Sequence, residues 1–162
     1  MDSFSPSFLD KLLGAGADNG GTTQRYSVEQ VKDSVARDIE MLLNAHQNFS
    51  ADDLPGLPNV ARSLLTLGLV DISSMSLSSD RDRHRITEAI RHGLMTHDPR
   101  LSNVEVAVRE VAGSGSQLTF TIRAHLHLRP STEHVVFDAV MQPGSKRYDV
   151  SKADKRASLP PR

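Results

Sequence analysis

The stretch from Ile86 to Val111 constrains the fold most strongly, because its hydrophobic period changes from helical to strand-like within a few residues. Apolar residues recur first at helical spacing and then at every second position: Ile86, Ile90 and Leu94, followed by Val104, Val106 and Val108. Between the two halves, Pro99 disfavours helical geometry at Asp98 and lacks a backbone donor. The sequence therefore predicts a helix and a strand that meet at a rigid corner, Asp98-Pro99-Arg100.

The first helix of the chain is predicted to begin at Ser27. Ser27 and Gln30 form a capping-box pattern, in which each side chain bonds to the backbone of the other residue. An apolar stripe at helical spacing follows, formed by Val28, Val31, Val35, Ile39 and Leu42. The pattern fades at Asn44, a residue type that can adopt the left-handed conformation of helix ends. The helix is therefore expected to end there.

Two further helices are predicted before the corner. A short one is expected after Asn59, which can cap it, and Gly68 is placed to end it. The next is expected from Ser79 to about Thr96, and it carries four arginines, Arg81, Arg83, Arg85 and Arg91. A basic helix face can bind phosphates, but acidic residues interrupt this run, which favours a solvated face.

Alternation of apolar and polar residues predicts antiparallel strands after the corner. The clearest strand covers 118–129, and it is flanked by strands predicted at 104–111 and 134–141, with a short fourth strand at 148–150. A glycine-serine segment at 112–116 is predicted to be a hairpin loop. The expected fold class is α+β, with N-terminal helices packed on one face of a three- to four-stranded antiparallel meander sheet. The edge strands of such a sheet are templates for a strand of another chain.

The ends of the chain are predicted to lie outside the folded domain. Residues 1–24 are expected to be a flexible segment with a short amphipathic turn at 7–13, whose apolar residues can dock on this domain or on a partner. The domain itself is expected to cover residues 25–150, and residues 151–162 are expected to form a disordered tail.

Composition argues against several classes of function. The formal net charge is −1, so no global field recruits nucleic acid or an anionic membrane, and 4% aromatic residues offer few stacking platforms. There is no cysteine, hence no disulfide framework or thiolate metal site. No secretory signal and no apolar run of membrane-spanning length is visible. We therefore expect a soluble, cytoplasmic protein without a cofactor.

Few side chains form a pattern that indicates catalysis or metal binding. His125 and His127 lie two apart on a predicted strand and so face the same side, but Arg123 and Arg129 flank them and repel a cation. A polar sheet face is the favoured interpretation. None of the glutamates stands in a context that marks a general acid, and no nucleophile elbow or phosphate-binding loop is present. The pattern of residues indicates no enzyme.

The corner Asp98-Pro99-Arg100 allows two interpretations. In the first, Asp98 and Arg100 form a local salt bridge or satisfy the helix end, which contributes less than about 1 kcal/mol when exposed. In the second, the fixed donor fork of Arg100 pairs with an acid or with backbone carbonyls of a partner. The residues alone leave both open.

Several segments together resemble a known family. They are Phe8–Leu13, Ser34–Asn44 with its terminal Leu-Leu-Asn, Asn59–Ile72, Asp98-Pro99-Arg100-Leu101 and the valine-rich Val104-Glu105-Val106. In order and spacing these segments resemble the TssE baseplate subunits of bacterial type VI secretion systems, which belong to the GPW, lysozyme-related family of contractile-tail baseplate wedge proteins. The resemblance extends over about residues 8–141.

The resemblance implies a non-enzymatic, structural role at a baseplate docked on the inner membrane. It implies that Asp98, Pro99, Arg100, Leu101 and Asn44 bind partners, with the corner contacting the wedge subunits TssF and TssG and, through the wedge, TssK. It also implies that the sheet provides edges on which the sheath proteins TssB and TssC begin to polymerise. No cofactor, metal, nucleic acid or direct membrane insertion is implied.

Two residues depart from the family pattern. Asp98 stands where the family usually has glutamate, and its reach is one methylene shorter; His46 stands where arginine is common. The name of the family also suggests an alternative function, a lysozyme-like enzyme that cleaves peptidoglycan. That alternative requires a glutamate in a cleft with a raised pKa.

Overall fold

The computed structural model describes residues 26–49, 53–70, 75, 79–110, 118–128, 130–142 and 144–153. The predicted segment 1–24 with its turn at 7–13, the predicted loop at 112–116 and residues 154–162 of the tail predicted at 151–162 lie outside the described residues, whereas the first two residues of that tail, Ser151 and Lys152, belong to a strand. Within the described part of the chain, no helix has the length and hydrophobicity that crossing a membrane requires.

The first helix, α1, covers Val28–Asn44, as predicted. The capping box is present: Ser27 Oγ accepts from the Gln30 N–H at 3.3 Å, and Gln30 Oε1 accepts from the Ser27 N–H at 2.8 Å. The buried side of α1 consists of Val31, Ser34, Val35, Ala36, Ile39, Leu42 and Leu43. Asn44 keeps a helical conformation and does not end α1 in the left-handed region.

The prediction of one short helix after Asn59 is wrong. The segment forms two 3-10 turns, Val60–Arg62 and Leu64–Thr66, and Asn59 makes no capping hydrogen bond. Ser63 separates the turns because its ψ of 179° interrupts helical hydrogen bonding. Leu64 is 82% exposed, so the apolar residues of this segment do not form one core-facing stripe.

Gly68 ends this segment, as predicted, with a φ of +119°. A Cβ atom at this position would lie 2.5 Å from the Ala45 carbonyl oxygen, a distance that real Cβ atoms do not adopt. The close approach allows the Leu69 N–H to donate to Ala45 and the Gln47 N–H to donate to Leu69, both at 3.0 Å. Glycine is therefore required both for the backbone angle and for this contact.

The second helix, α2, covers Asp80–His97. Its N-cap is Ser79, whose hydroxyl accepts from the Asp82 N–H at 3.4 Å, and it ends at Asp98. The residues of α2 that face the core are Ile86, Ile90, Gly93 and Leu94, in agreement with the helical half of the predicted pattern.

Four strands form one antiparallel meander in the order β1-β2-β3-β4: Leu101–Glu110, Leu118–Leu128, Ser131–Met141 and Tyr148–Lys152. The helices cover one face of this sheet, and the predicted α+β class is confirmed. From Phe120 to Leu128 burial in β2 alternates at every second residue, as the sequence pattern indicates, whereas Thr119 before it is buried as well. The fourth strand continues to Lys152, two residues past the end of the strand predicted at 148–150.

An irregularity in β1 follows directly after the corner. The register with β2 shifts between Ser102 and Glu105, and Asn103 has a positive φ of 49°. The inserted residue allows Leu101 and Val104, which are three positions apart, both to point into the core. Strict alternation would have placed one of them on the polar face.

The core lies between the helices and the covered face of the sheet. Its largest fully buried side chains include Phe120 of β2, Phe137 of β3, Ile39 of α1 and Ile90 of α2. Each such side chain contributes about 1.5–3 kcal/mol when it is removed from water. The core thus fixes both helices, and with them the corner, against the sheet.

Candidate partner-binding corner

The corner links α2 to β1 through a tight set of backbone hydrogen bonds. The Asp98 N–H donates to Leu94 of α2 at 2.9 Å, and the Leu101 N–H donates back to the Asp98 carbonyl at 3.1 Å. On the strand side, the Arg100 carbonyl accepts from the His127 N–H of β2 at 2.8 Å. The three residues are therefore held by the helix before them and by the sheet after them.

Asp98 and Arg100 form the local ion pair that the first interpretation of the corner described. The Arg100 guanidinium donates through Nε to Asp98 Oδ1 at 2.9 Å and through Nη2 to Asp98 Oδ2 at 2.7 Å. The Arg100 backbone N–H also donates to Asp98 Oδ1, at 3.0 Å. Asp98 is only 7% exposed, so this bidentate pair is partly removed from water.

Asp38 of α1 adds a second carboxylate to the ion pair of Asp98 and Arg100. Local sequence patterns did not predict this contact. Arg100 Nη2 donates to Asp38 Oδ2 at 2.6 Å, across 62 residues of sequence. The contact joins the first helix to the corner that follows the second helix. Nothing in the residues around Asp38 distinguishes it from the other charged positions of α1. Its contact with Arg100 exists only because the fold brings α1 next to the corner.

Asp38, Asp98 and Arg100 form a triad in which two carboxylates surround one guanidinium. Burial alone would lower the pKa of Arg100, but hydrogen bonds to Asp98 and then Asp38 outweigh burial and raise the pKa above its usual value. Arg100 is therefore a permanent cation between two anions. With one positive and two negative groups, the triad carries a net charge of −1 when both carboxylates are ionised.

Part of the corner still faces solvent. Pro99 is exposed, and Arg100 keeps 29% of its side-chain surface accessible. Among the described residues, none accepts a hydrogen bond from Arg100 Nη1. Leu101, in contrast, is buried in the core.

Asn44, which was also predicted to bind a partner, makes its contacts with β4. Its amide Nδ2 donates to the Tyr148 carbonyl at 2.8 Å, and its Oδ1 accepts from the Tyr148 N–H at 2.9 Å. One helical turn earlier, Glu40 Oε2 accepts from the Val150 N–H at 2.9 Å. We call Glu40 and Asn44 the β4 clamp, because they fasten the last strand to α1.

The open face of the sheet carries His125 and His127, whose spacing raised the possibility of a metal site. His125 stacks edge-on against His134 of β3 at 5.7 Å, while His127 is within 2.7 Å of Ser102 Oγ. No group of three histidine, aspartate or glutamate side chains is arranged to hold a metal ion within the described residues. The histidines contribute to a polar sheet face.

Two of the four arginines of α2 are paired with acids of the same helix. Arg83 is paired with Asp80, and Arg91 Nη2 lies 2.9 Å from Glu88. These pairs support the interpretation of this helix as a solvated face with counter-charges. They leave fewer cations available for phosphate groups than the count of arginines implies.

The glutamates with a resolved pKa shift do not have the properties of a general acid. Hydrogen bonds from Lys152 and Lys32 lower the pKa of Glu29, and a hydrogen bond from Arg91 lowers the pKa of Glu88. A lysozyme-like mechanism needs a shift in the opposite direction. These two carboxylates therefore do not support the enzymatic alternative.

Comparison with known proteins adds the family context. A sequence model for baseplate wedge protein gp25 matches residues 29–131, which is more than half of the chain. A chain in a solved structure described as the baseplate complex from the type VI secretion system is 20% identical; the match covers 70% of this chain and 96% of that chain, with a TM-score of 0.41. Among curated proteins, none matches.

Proposed function

Because this chain belongs to the baseplate wedge protein gp25 family, we propose that it is a structural baseplate subunit of a type VI secretion system. The family match carries this proposal. The subunit joins the wedge to the sheath and acts by binding, not by catalysis. Its place of action is the cytoplasmic side of a baseplate docked on the inner membrane.

The wedge subunits TssF and TssG dock on the corner Asp98-Pro99-Arg100 in this proposal, and TssK is reached through them. Two observations support docking at the corner: Pro99 is exposed, and two carboxylates hold Arg100 in one geometry. A donor fixed in advance loses little conformational entropy on binding. Since Asp98 and Asp38 already balance the guanidinium, a backbone carbonyl suits the remaining Nη1 better than another acid does.

The sheet serves the other partners, the sheath proteins TssB and TssC. A four-stranded open meander has two edge strands, each with a row of backbone groups that face away from the sheet. A strand of a sheath subunit that adds to one edge gains affinity from main-chain hydrogen bonds. The first sheath ring then begins on a strand that is already part of a folded sheet.

Docking at the corner is best tested at Pro99, because a change there leaves the triad intact. Pro99→Arg adds bulk and charge at the exposed position and should lower co-purification with TssF and TssG by about tenfold or more. Pro99→Ala is the matched control, with most of the binding retained. If Pro99→Arg recovers the wedge subunits as well as the unchanged protein does, the corner is not the docking point.

The structural role is tested separately by a turbidity assay on purified cell walls. The proposal expects no lysis above that of a heat-treated sample. Lysis that is lost when one glutamate is replaced by glutamine would instead assign the chain to the peptidoglycan-cleaving class.

A further inference from the structure

The two edges of the sheet, β1 and β4, differ in whether their outward backbone groups are already occupied. In an antiparallel strand, alternate residues bond to the neighbouring strand and the residues between them point their N–H and C=O groups outward. The phase of this alternation identifies the outward residues on each edge. For each edge strand, one backbone hydrogen bond just beyond the end of the strand shows which residues point inward.

On β4 the outward residues are Tyr148, Val150 and Lys152. The Ala153 N–H donates to the Val136 carbonyl of β3 at 3.0 Å, so odd-numbered residues of this strand bond inward. The β4 clamp occupies three of the outward groups, because Asn44 binds both backbone groups of Tyr148 and Glu40 binds the N–H of Val150. Helix α1 therefore closes most of this edge.

At the end of β4, an ion pair also ties the strand to α1. Lys152 Nζ lies 2.7 Å from Asp33 and 3.1 Å from Glu29, both on α1. Hydrogen bonds to Asp33 and Glu29 raise the pKa of Lys152, so the cation is kept. A charged side chain tied across an edge opposes the addition of another strand.

On β1 the outward residues are Val106 and Val108. The His127 N–H donates to the Arg100 carbonyl, so odd-numbered residues of β2 bond to β1. The register of β2 with β3 has no break, so this alternation holds along the whole of β2. Past the bulge, the β1 residues opposite these positions are Glu105, Ala107 and Arg109. Among the described residues, none bonds to the outward groups of Val106 or Val108.

A groove of about 510 Å³ runs beside this open edge. Residues 106–108 form one side, and Asp80, Arg83, His84 and Thr87 of α2 form the other. The side chains of Val106 and Val108 point towards the helices but are only partly buried, unlike Val104. A strand placed in the groove would cover these valines and satisfy the backbone groups beside them.

We infer that residues 106–108 of β1 are the strand-accepting edge, and that the occupant is an extended segment of another protein with small hydroxyl or amide side chains towards α2. This inference rests on the proposed function and specifies its sheath-binding site. Asp80 and Arg83 pair with each other and line this wall together with His84 and Thr87, so the wall is polar and its charges are balanced. Uncharged hydrogen-bonding side chains match such a surface better than charged or large apolar ones.

Amide hydrogen exchange with the purified TssB–TssC complex tests the choice of edge. The amides of Val106 and Val108 should be protected by about tenfold or more when the complex is added, while those of Tyr148 and Val150 stay unchanged. Protection of the β4 amides alone would overturn the inference and leave the proposed function standing. No protection at either edge, with no binding, would overturn both. Protection that appears when the protein alone is concentrated would identify a second copy as the occupant and contradict the inference.

Variants of the edge test the same point through binding. Val106→Pro removes an outward N–H that pairs with no described residue, and proline is tolerated at such edge positions. We expect about tenfold weaker binding of TssB–TssC, and Val106→Thr, which keeps the N–H and the branched shape, should bind as before. Equal binding by both variants would show that this backbone group is not used.

The chemistry of the occupant is tested in the groove itself. His84→Trp fills the groove and should weaken binding, whereas His92→Trp, exposed on the same helix outside the groove, should not. Because the chain contains no cysteine, a single Thr87→Cys variant can be cross-linked to the bound strand and the captured segment sequenced. A segment with small polar side chains at alternate positions supports the inference; large apolar side chains there would contradict it.

Discussion

The two edges of the sheet show how one fold treats equivalent backbone groups in opposite ways. At β4, Asn44 and Glu40 on α1 reach the outward groups of Tyr148 and Val150. At β1, helix α2 lies beside the edge but leaves a groove between its polar side chains and the strand. Closure therefore depends on a few polar side chains of the correct length and not on the presence of a helix.

The strands are also anchored at different places. β4 is held along its edge by side chains of α1, whereas β1 is held at its start by the corner, where Arg100 joins Asp98 to Asp38. A strand fixed at one end and open along its edge is suited to receive a partner. Substitutions at the corner and along β4 test this difference.

Arg100→Ala should have the largest effect on stability. It leaves the buried carboxylate of Asp98 and that of Asp38 without their shared cation, which should lower the free energy of unfolding by about 3–5 kcal/mol. The measurement is urea unfolding at neutral pH. Arg109→Ala is the control on the same strand: the Arg109 side chain is 47% accessible, its pair with Asp138 is 3.6 Å long, and Asp138 keeps the hydrogen bond from Thr121, so the loss should stay below about 1 kcal/mol. Equal losses for the two variants would show that the corner does not anchor β1.

Asn44→Ala should open the β4 edge. The outward N–H and C=O of Tyr148 lose their partner, and the expected loss of unfolding free energy is about 1–3 kcal/mol. The Tyr148 amide should also exchange faster, which distinguishes an opened edge from a general loss of stability. Asn48→Ala, at an exposed position after α1, serves as the control and should change stability by less than about 0.5 kcal/mol. An unchanged Tyr148 amide in Asn44→Ala would contradict the clamp.

Tyr148→Phe should remove a pH dependence that belongs to β4. Burial raises the pKa of the Tyr148 hydroxyl to about 12, and no described residue accepts or donates a hydrogen bond there. Since the unfolded group has a pKa near 10, stability is fully present below pH 10 and is lost as the pH rises towards 12, by about 1–3 kcal/mol. Urea unfolding at several alkaline pH values should show a shallower loss in the variant. At neutral pH the variant should be at least as stable, because a buried donor without a partner is removed.

Lys152→Ala should have the smallest effect. The ion pairs of Lys152 with Glu29 and Asp33 lie at the surface, so their loss should cost less than about 1 kcal/mol and should diminish at high salt. The result separates the ion pairs from the β4 clamp. A loss as large as that of Asn44→Ala would mean that charge, and not the hydrogen bonds of the clamp, closes this edge.

Local patterns were sufficient for most elements of the fold. The capping box at Ser27 and Gln30 located the start of α1, and alternation located β2, because both signals arise within a few residues of sequence. The helix expected after Asn59 failed, since the apolar spacing there does not reveal that Ser63 takes an extended conformation between two turns. The bulge at Asn103 was missed for a similar reason, because an inserted residue changes a register that only the partner strand defines.

The candidate site was predictable only in part. The corner itself, with its local pair of Asp98 and Arg100, followed from a proline between a helical and a strand pattern. The contact from Asp38 and the contacts of Asn44 and Glu40 with β4 join residues that are 62 to 110 positions apart. Such contacts exist only once the core has brought α1 against the sheet. The docking role of the corner remains a proposal that the Pro99 variants test.

Native-state amide exchange of the isolated protein tests the difference between the edges most directly. The amides of Tyr148 and Val150 should be protected by the β4 clamp, whereas those of Val106 and Val108 should exchange close to the rate of an unfolded chain. Protection of Val106 and Val108 that equals or exceeds that of Tyr148 and Val150 would contradict the account, because the β1 edge would then already be closed.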